Sequence, residues 1–237
     1  MIGSSPLSQP ALLPALLAAL SHELGSPLAA IKGAATTLID YRQRLPDERI
    51  DGFLHSIDVQ TDRLNDLLDD LVLLAKIQAG TLRLQPEPIS LHTVLEQAIA
   101  QLPPDQRDAC LIQGSDPLVE ADAPYLPHAL GLLLRRLRDG ATTQTIIRLE
   151  TTTCAQIWLG GQADPAWADP LAHVDPLLAS SDYGRSRQAA DLLRLALSRA
   201  LIELHGGQWG VEPQSGAESA LVVTLPLAPD GAESDSI

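Results

Sequence analysis

The chain has 237 residues, 45% of them hydrophobic but only 3% aromatic, and a formal net charge of −14. That length suffices for one large or two small domains, and an aliphatic core favours packed helices over an all-β sandwich. The negative charge argues against binding nucleic acid or anionic membrane surfaces, and Cys110 and Cys154 form no CxxC or Cys/His cluster, so neither a metal nor a disulfide framework is expected.

Residues 1–10, with Gly3, Ser4, Ser5, Pro6 and Pro10, read as a flexible lead-in, and residues 229–237 as an acidic tail. The longest apolar run, Ala11 to Leu20, is interrupted by Pro14 and is half the roughly 20 residues a bilayer requires. No basic segment precedes it, so a cytoplasmic protein with no membrane anchor of its own is expected. Apolar residues at Leu13, Leu17, Leu20, Leu24, Leu28, Ile31, Ala35 and Leu38 predict one long amphipathic helix, with Leu20, Leu24 and Leu28 on its buried face. A polar break from Arg42 to Glu48 leads to a second stripe at Ile57, Thr61, Leu64, Leu68, Leu71 and Ala75, which Gly80 should end.

Two such helices make an antiparallel hairpin over residues 11–84, and a lone hairpin leaves apolar flanks uncovered. A homodimer forming a four-helix bundle is therefore expected. After a Pro-containing linker, Gln85 to Ile89, residues 85–228 read as a mixed domain, making the fold class α+β with an α/β sandwich after the hairpin. Helices are predicted over Leu91–Leu102, Tyr125–Arg138 and Ala189–Leu204, and strands over Thr145–Glu150, Ala155–Leu159 and Ala220–Leu225.

The chemistry-bearing stretch is Ser21-His22-Glu23-Leu24-Gly25-Ser26-Pro27-Leu28. His22 sits two residues from Leu20, about 200° around a helix, and should face solvent. Imidazole both attacks and leaves near neutral pH, so it can accept and surrender a phosphoryl group. Glu23 can hold the proton on the ring nitrogen that does not attack, as acid/base partner. Ser26, one turn on, can orient a phosphoryl oxygen, and Pro27 removes the hydrogen bond to the Glu23 carbonyl and should loosen that turn. A lone helical histidine is more often a solvated surface residue, but these neighbours reverse that reading.

The stretch resembles the phosphoacceptor box of two-component histidine kinases, Ser-His-Glu-Leu-Arg-Thr-Pro-Leu, with Gly25 in place of the usual basic residue and Ser26 in place of Thr. The similarity continues through Asp62-Arg63-Leu64, Asp69-Asp70-Leu71 and Glu87-Pro88-Ile89-Ser90-Leu91 to Ala200-Leu201-Ile202-Glu203-Leu204-His205-Gly206-Gly207. It implies a dimerisation and phosphotransfer hairpin followed by an ATPase-like domain, with His22 as phosphoacceptor and a response-regulator receiver aspartate, or a partner histidine kinase, as its counterpart. His205 reads as a structural residue at a helix end.

The family's nucleotide boxes are not matched. Paired asparagines that hold Mg²⁺ through oxygen fall at Leu132 and Arg136. An Asp-x-Gly-x-Gly loop would follow Leu159, where Gly160 to Pro165 includes only Asp164 as a carboxylate. A glycine-rich helix entry falls at Leu192 and Arg194. No bound cofactor is expected, and a protein exchanging phosphate on His22 without its own ATP site is the leading reading. An active kinase using Mg-ATP in a diverged pocket is one alternative, and a non-catalytic scaffold or inhibitor of a kinase or regulator is the other. The basic cluster Arg135, Arg136 and Arg138 reads as a solvated helix face or a patch for an acidic partner.

Overall fold

The computed structural model describes residues 12–138, 144–161, 186–213 and 219–229, with side chains from Leu24 onward except those of 161, 186–190, 192 and 213. Among the described residues the chain divides into two compact units, one holding the helical hairpin up to Leu82 together with residues 186–193, and one holding residues 83–161 and those from Arg194 onward. The lead-in, the loop with Asp164 and most of the acidic tail lie outside the described residues.

In the first unit α1 (Leu12–Tyr41) and α2 (Asp47–Gln78) are joined by a short 3-10 turn, Arg42–Arg44, and Pro46. Asp47 and Glu48 in the first turn of α2 and Lys76 in the last complement the helix dipole. Gly80, at φ 62°, ends α2: its N–H bonds to Ile77 O at 3.0 Å and the Thr81 N–H to Lys76 O at 3.0 Å, the paired bonds of a Schellman motif. The sequence stripes need a correction in phase. The hairpin seam buries Pro27 and Ala34 of α1 and Leu67, Asp70 and Leu74 of α2, whereas Leu28 and Leu68 are 54% and 48% exposed and Thr61 and Ala75 are exposed as well. Each helix carries more apolar residues than one seam covers, and the sequence periodicity averaged two neighbouring rows into one.

The second unit holds a five-stranded sheet and a smaller hairpin. β1 (Glu87–Ser90), inside the expected linker, pairs antiparallel with β3 (Leu118–Ala121). The large sheet has the order β2-β4-β5-β7-β6, with β2 (Cys110–Gly114) parallel to β4 (Thr145–Thr151). β5 (Ala155–Gly161), β7 (Ser219–Leu225) and β6 (Gln208–Pro213) complete it in antiparallel pairs. Ile147, Leu149, Ile157, Leu159, Leu221, Val223 and Leu225 form one buried face. The helices α3 (Leu91–Ala100), α5 (Tyr125–Arg138) and α6 (Ser186–Leu204, in this unit from Arg194 on) contribute Leu91, Leu95, Leu126, Leu130, Leu133, Leu197 and Leu201 to the core, and a short α4 (Pro104–Arg107) buries none of its residues. β1, β2 and β3 were missed as strands because each is four or five residues long with little alternation, whereas β6 falls where the resemblance implies a hairpin over Trp209 to Glu212.

Helix starts follow capping chemistry. Ser90 accepts the Thr93 N–H and donates its hydroxyl to Asp116 at 2.8 Å, and Asp116 accepts the His92 N–H at 2.9 Å. Burial pushes the Asp116 carboxyl up, but these donors outweigh it and its pKa lies below the ordinary value.

Candidate functional site

The phosphoacceptor stretch lies wholly on α1, which runs as continuous helix through Pro27. His22 and Glu23 are helical, and their side chains lie outside the described set. Ser26, Ala29, Gly33 and Thr36 form an exposed row at helical spacing, and that row continued one turn toward the N-terminus passes through position 22. The seam residues Pro27, Ile31, Ala34 and Leu38 occupy the other side of the helix. Ser26 is thus exposed, one turn from position 22, in the same row.

The other site positions fall on α5, β5 and α6, within the second unit except for Leu192. Leu132 is buried in α5 and Arg136, one turn later, is half-buried. An aliphatic side chain and a guanidinium offer a divalent cation no oxygen ligand. Among the described residues no group of three or more His, Cys, Asp or Glu could hold a metal ion. The strand expected to end at Leu159 continues to Gly161, so Gly160 is a strand residue opposite Ala220 and not a loop residue. A Cβ there would meet Ile146 O at 3.1 Å, which accounts for the glycine by packing against β4. Asp164 lies outside the described residues. Leu192 and Arg194 both lie within α6, which begins at Ser186, and Arg194 is half-buried.

The arginine cluster is only partly a solvated face, since Arg138 is buried and Arg135 and Arg136 are half-buried. Arg135 donates to Gln101 O at 3.1 Å, and Arg138, only 6% exposed, donates to Thr145 Oγ1 at 3.3 Å. These residues staple the end of α5 to the end of α3 and the start of β4, and their charge suits a helix C-terminus.

Sequence reasoning missed the polar junction that sets α5 against α6. Buried Asp122 accepts the Tyr125 N–H at 3.3 Å and the Gln85 N–H at 2.7 Å, while its own N–H donates to His205 Nε2 at 3.1 Å. His205 Nδ1 lies 2.7 Å from Leu201 O, so the ring is the neutral tautomer with its proton on Nδ1. Burial lowers the His205 pKa, with the Leu201 carbonyl and the Asp122 charge opposing. Two turns along, the buried Ser198 hydroxyl donates to Ala129 O at 2.7 Å. The signal that could have found Asp122 is an aspartate just before a helical stripe, the N-cap pattern.

Residues 14–80 match the His Kinase A (phospho-acceptor) domain. The chain is 29% identical over 218 residues to the probable sensor histidine kinase TcrY of Mycobacterium tuberculosis, covering 87% of this chain and 44% of that protein. It spans less than half the length of the curated relatives it matches. Among solved structures, the Acinetobacter baumannii histidine kinase AdeS has a TM-score of 0.62 at 18% identity, covering 88% of this chain and 98% of that one. A histidine kinase, ThkA, solved with the response regulator protein TrrA has a TM-score of 0.59 at 16% identity, covering 92% and 63%. The hairpin followed by an α/β domain is therefore the fold of histidine-kinase catalytic regions, and the phosphoacceptor-domain match over the hairpin together with the similarity to sensor histidine kinases supports the two-component histidine-kinase family.

Proposed function

We propose that this chain is a phosphotransfer protein of two-component signalling, homodimeric through its hairpin, which carries phosphate on His22 without binding ATP itself. The observation that carries the reading is the phosphoacceptor box on α1, its position 22 in the row opposite the hairpin seam, together with metal-ligand positions filled by Leu132 and Arg136. His22 would attack an incoming phosphoryl group in line and release it to a receiver aspartate. Glu23 would hold the distal ring proton, Ser26 would orient a phosphoryl oxygen, and the receiver's acidic pocket would supply Mg²⁺.

Three features favour loss of nucleotide binding. Leu132 and Arg136 carry no metal-ligating oxygen, β5 runs on through Gly160 and Gly161 where the carboxylate loop is expected to begin, and Leu192 and Arg194, where glycines would admit phosphates, lie inside α6. The response-regulator partner is supported by the ThkA neighbour, which was solved with one. Dimerisation is supported by exposed Leu28, Ile39, Leu54, Leu68 and Val72 on the hairpin, since unpartnered apolar rows on two antiparallel helices are covered in a four-helix bundle.

The test incubates the full chain with phosphorylated receiver domains and, separately, with Mg-ATP. An acid-labile label acquired from the receivers, absent in His22→Ala and not acquired from Mg-ATP, is the expected outcome. Saturable Mg-ATP binding with self-labelling of His22 would establish the active-kinase alternative, and no label from either donor would leave a scaffold.

A further inference from the structure

The buried junction at the end of α6 joins three parts of the fold through consecutive hydrogen bonds. Leu201 O accepts from His205 Nδ1 at 2.7 Å, His205 Nε2 accepts the Asp122 N–H at 3.1 Å, and the Asp122 carboxylate accepts the Gln85 N–H at 2.7 Å. Gln85 belongs to the segment between the hairpin and β1, so the connection into the second unit is held by a carboxylate that sits beside an imidazole. We infer that His205 and Asp122 form an acid-sensitive latch on this segment, in which protonation of the imidazole withdraws Asp122 from Gln85 and frees the connection.

The bonding capacity of each group dictates the change. A neutral imidazole has one donor and one acceptor, and both are used. A proton added to Nε2 consumes the lone pair that accepts the Asp122 N–H, leaving two N–H donors facing each other across the 3.1 Å gap. The acceptor chemically available to the new imidazolium N–H is the Asp122 carboxylate, where a donor that itself carries charge makes a stronger bond than the uncharged amide donor of Gln85. The charged groups around the ring are few. Asp122 faces it from the β3–α5 junction, Glu203 on its own helix is engaged by Arg199 at 2.9 Å, and the segment after β7 approaches Gly206 through apolar Pro226. Burial keeps the ring neutral under ordinary conditions, so the latch is closed at neutral pH and opens only in acid. No residue of the phosphotransfer machinery takes part.

Amide hydrogen exchange on the full chain tests it, with Gln85 protection expressed relative to its intrinsic exchange rate at each pH. The expected result is at least a tenfold loss of Gln85 protection on acidification, with a midpoint matching the titration of the His205 ring nitrogens, while core amides such as Leu133 stay protected. His205→Gln, which retains an acceptor but cannot titrate, is expected to hold Gln85 protected throughout. Protection that persists after the ring has titrated, the same loss in His205→Gln, or loss at Leu133 in step with Gln85 would each overturn the proposal. Should His205→Gln fail to fold, comparison of the two midpoints in the wild-type chain decides alone.

Discussion

His205, Gly206 and Gly207 show how three adjacent residues divide one task. Gly206 takes φ 73° to end α6, its N–H bonding to Glu203 O and that of Gly207 to Ile202 O, the same pair of bonds that ends α2 at Gly80. Gly207 is needed for a different reason: a Cβ there would lie 2.6 Å from Thr224 O and 2.8 Å from Leu225 Cδ2. Gly206→Ala is expected to cost about 1 kcal/mol from its left-handed backbone, and Gly207→Ala about 1–3 kcal/mol from overpacking against a strand, measured by urea unfolding. His205 adds a pH dependence. Its pKa is lowered in the folded chain, so the unfolded chain binds the extra proton. The stability it contributes is complete above the unfolded value of about 6.5 and is lost as pH falls from there toward the folded value. Melting temperatures measured from pH 7.5 to 5 are expected to fall more steeply for the wild-type chain than for His205→Gln.

At the scale of the helix, each member of the hairpin carries two apolar rows with different consequences. Leu67 and Leu74 are fully buried within the single chain, whereas Leu54, Leu68 and Val72 are about half exposed. Leu74→Ala is expected to destabilise the hairpin by about 2–5 kcal/mol, seen as an earlier unfolding transition in denaturant. Leu68→Ala should change the stability of an isolated chain little, but Leu68→Glu should shift sedimentation equilibrium toward monomer by placing charge in the proposed bundle interface. Unchanged self-association in Leu68→Glu would remove that row from the interface. In the second unit, Ser198 ties α6 to α5 through one buried bond to Ala129 O, and Arg135 and Arg138 tie the end of α5 to Gln101 O and Thr145 Oγ1.

At the scale of the whole molecule, the proposed loss of nucleotide binding rests on three separate elements, so on that reading no single reversion is expected to restore binding. A Leu132→Asn, Arg136→Asn double variant should show no saturable Mg-ATP binding by calorimetry, because positions 192 and 194 would still lack glycines. Binding by that variant would mean the remaining elements already fit a nucleotide. Among the described residues no helix is long and apolar enough to cross a membrane.

The hairpin, the helix end at Gly80, the main helices and central strands, and the phosphoacceptor stretch were all legible in the sequence, because each is governed by local rules: periodicity, capping, or a contiguous motif. The short strands β1, β2 and β3 were not, since their pairing depends on distant partners. Nor could periodicity separate the seam row of α2 from the open row beside it, because both are apolar and only packing against α1 distinguishes Leu67 from Leu68. His205 was legible as a structural helix-end residue, but its bonding partners, like those of Asp122, Arg135 and Arg138, were decided by tertiary structure alone: a hydrogen bond spanning 83 residues, from Asp122 to His205, leaves no periodic trace in sequence, whereas burial makes its partners obligatory in the fold.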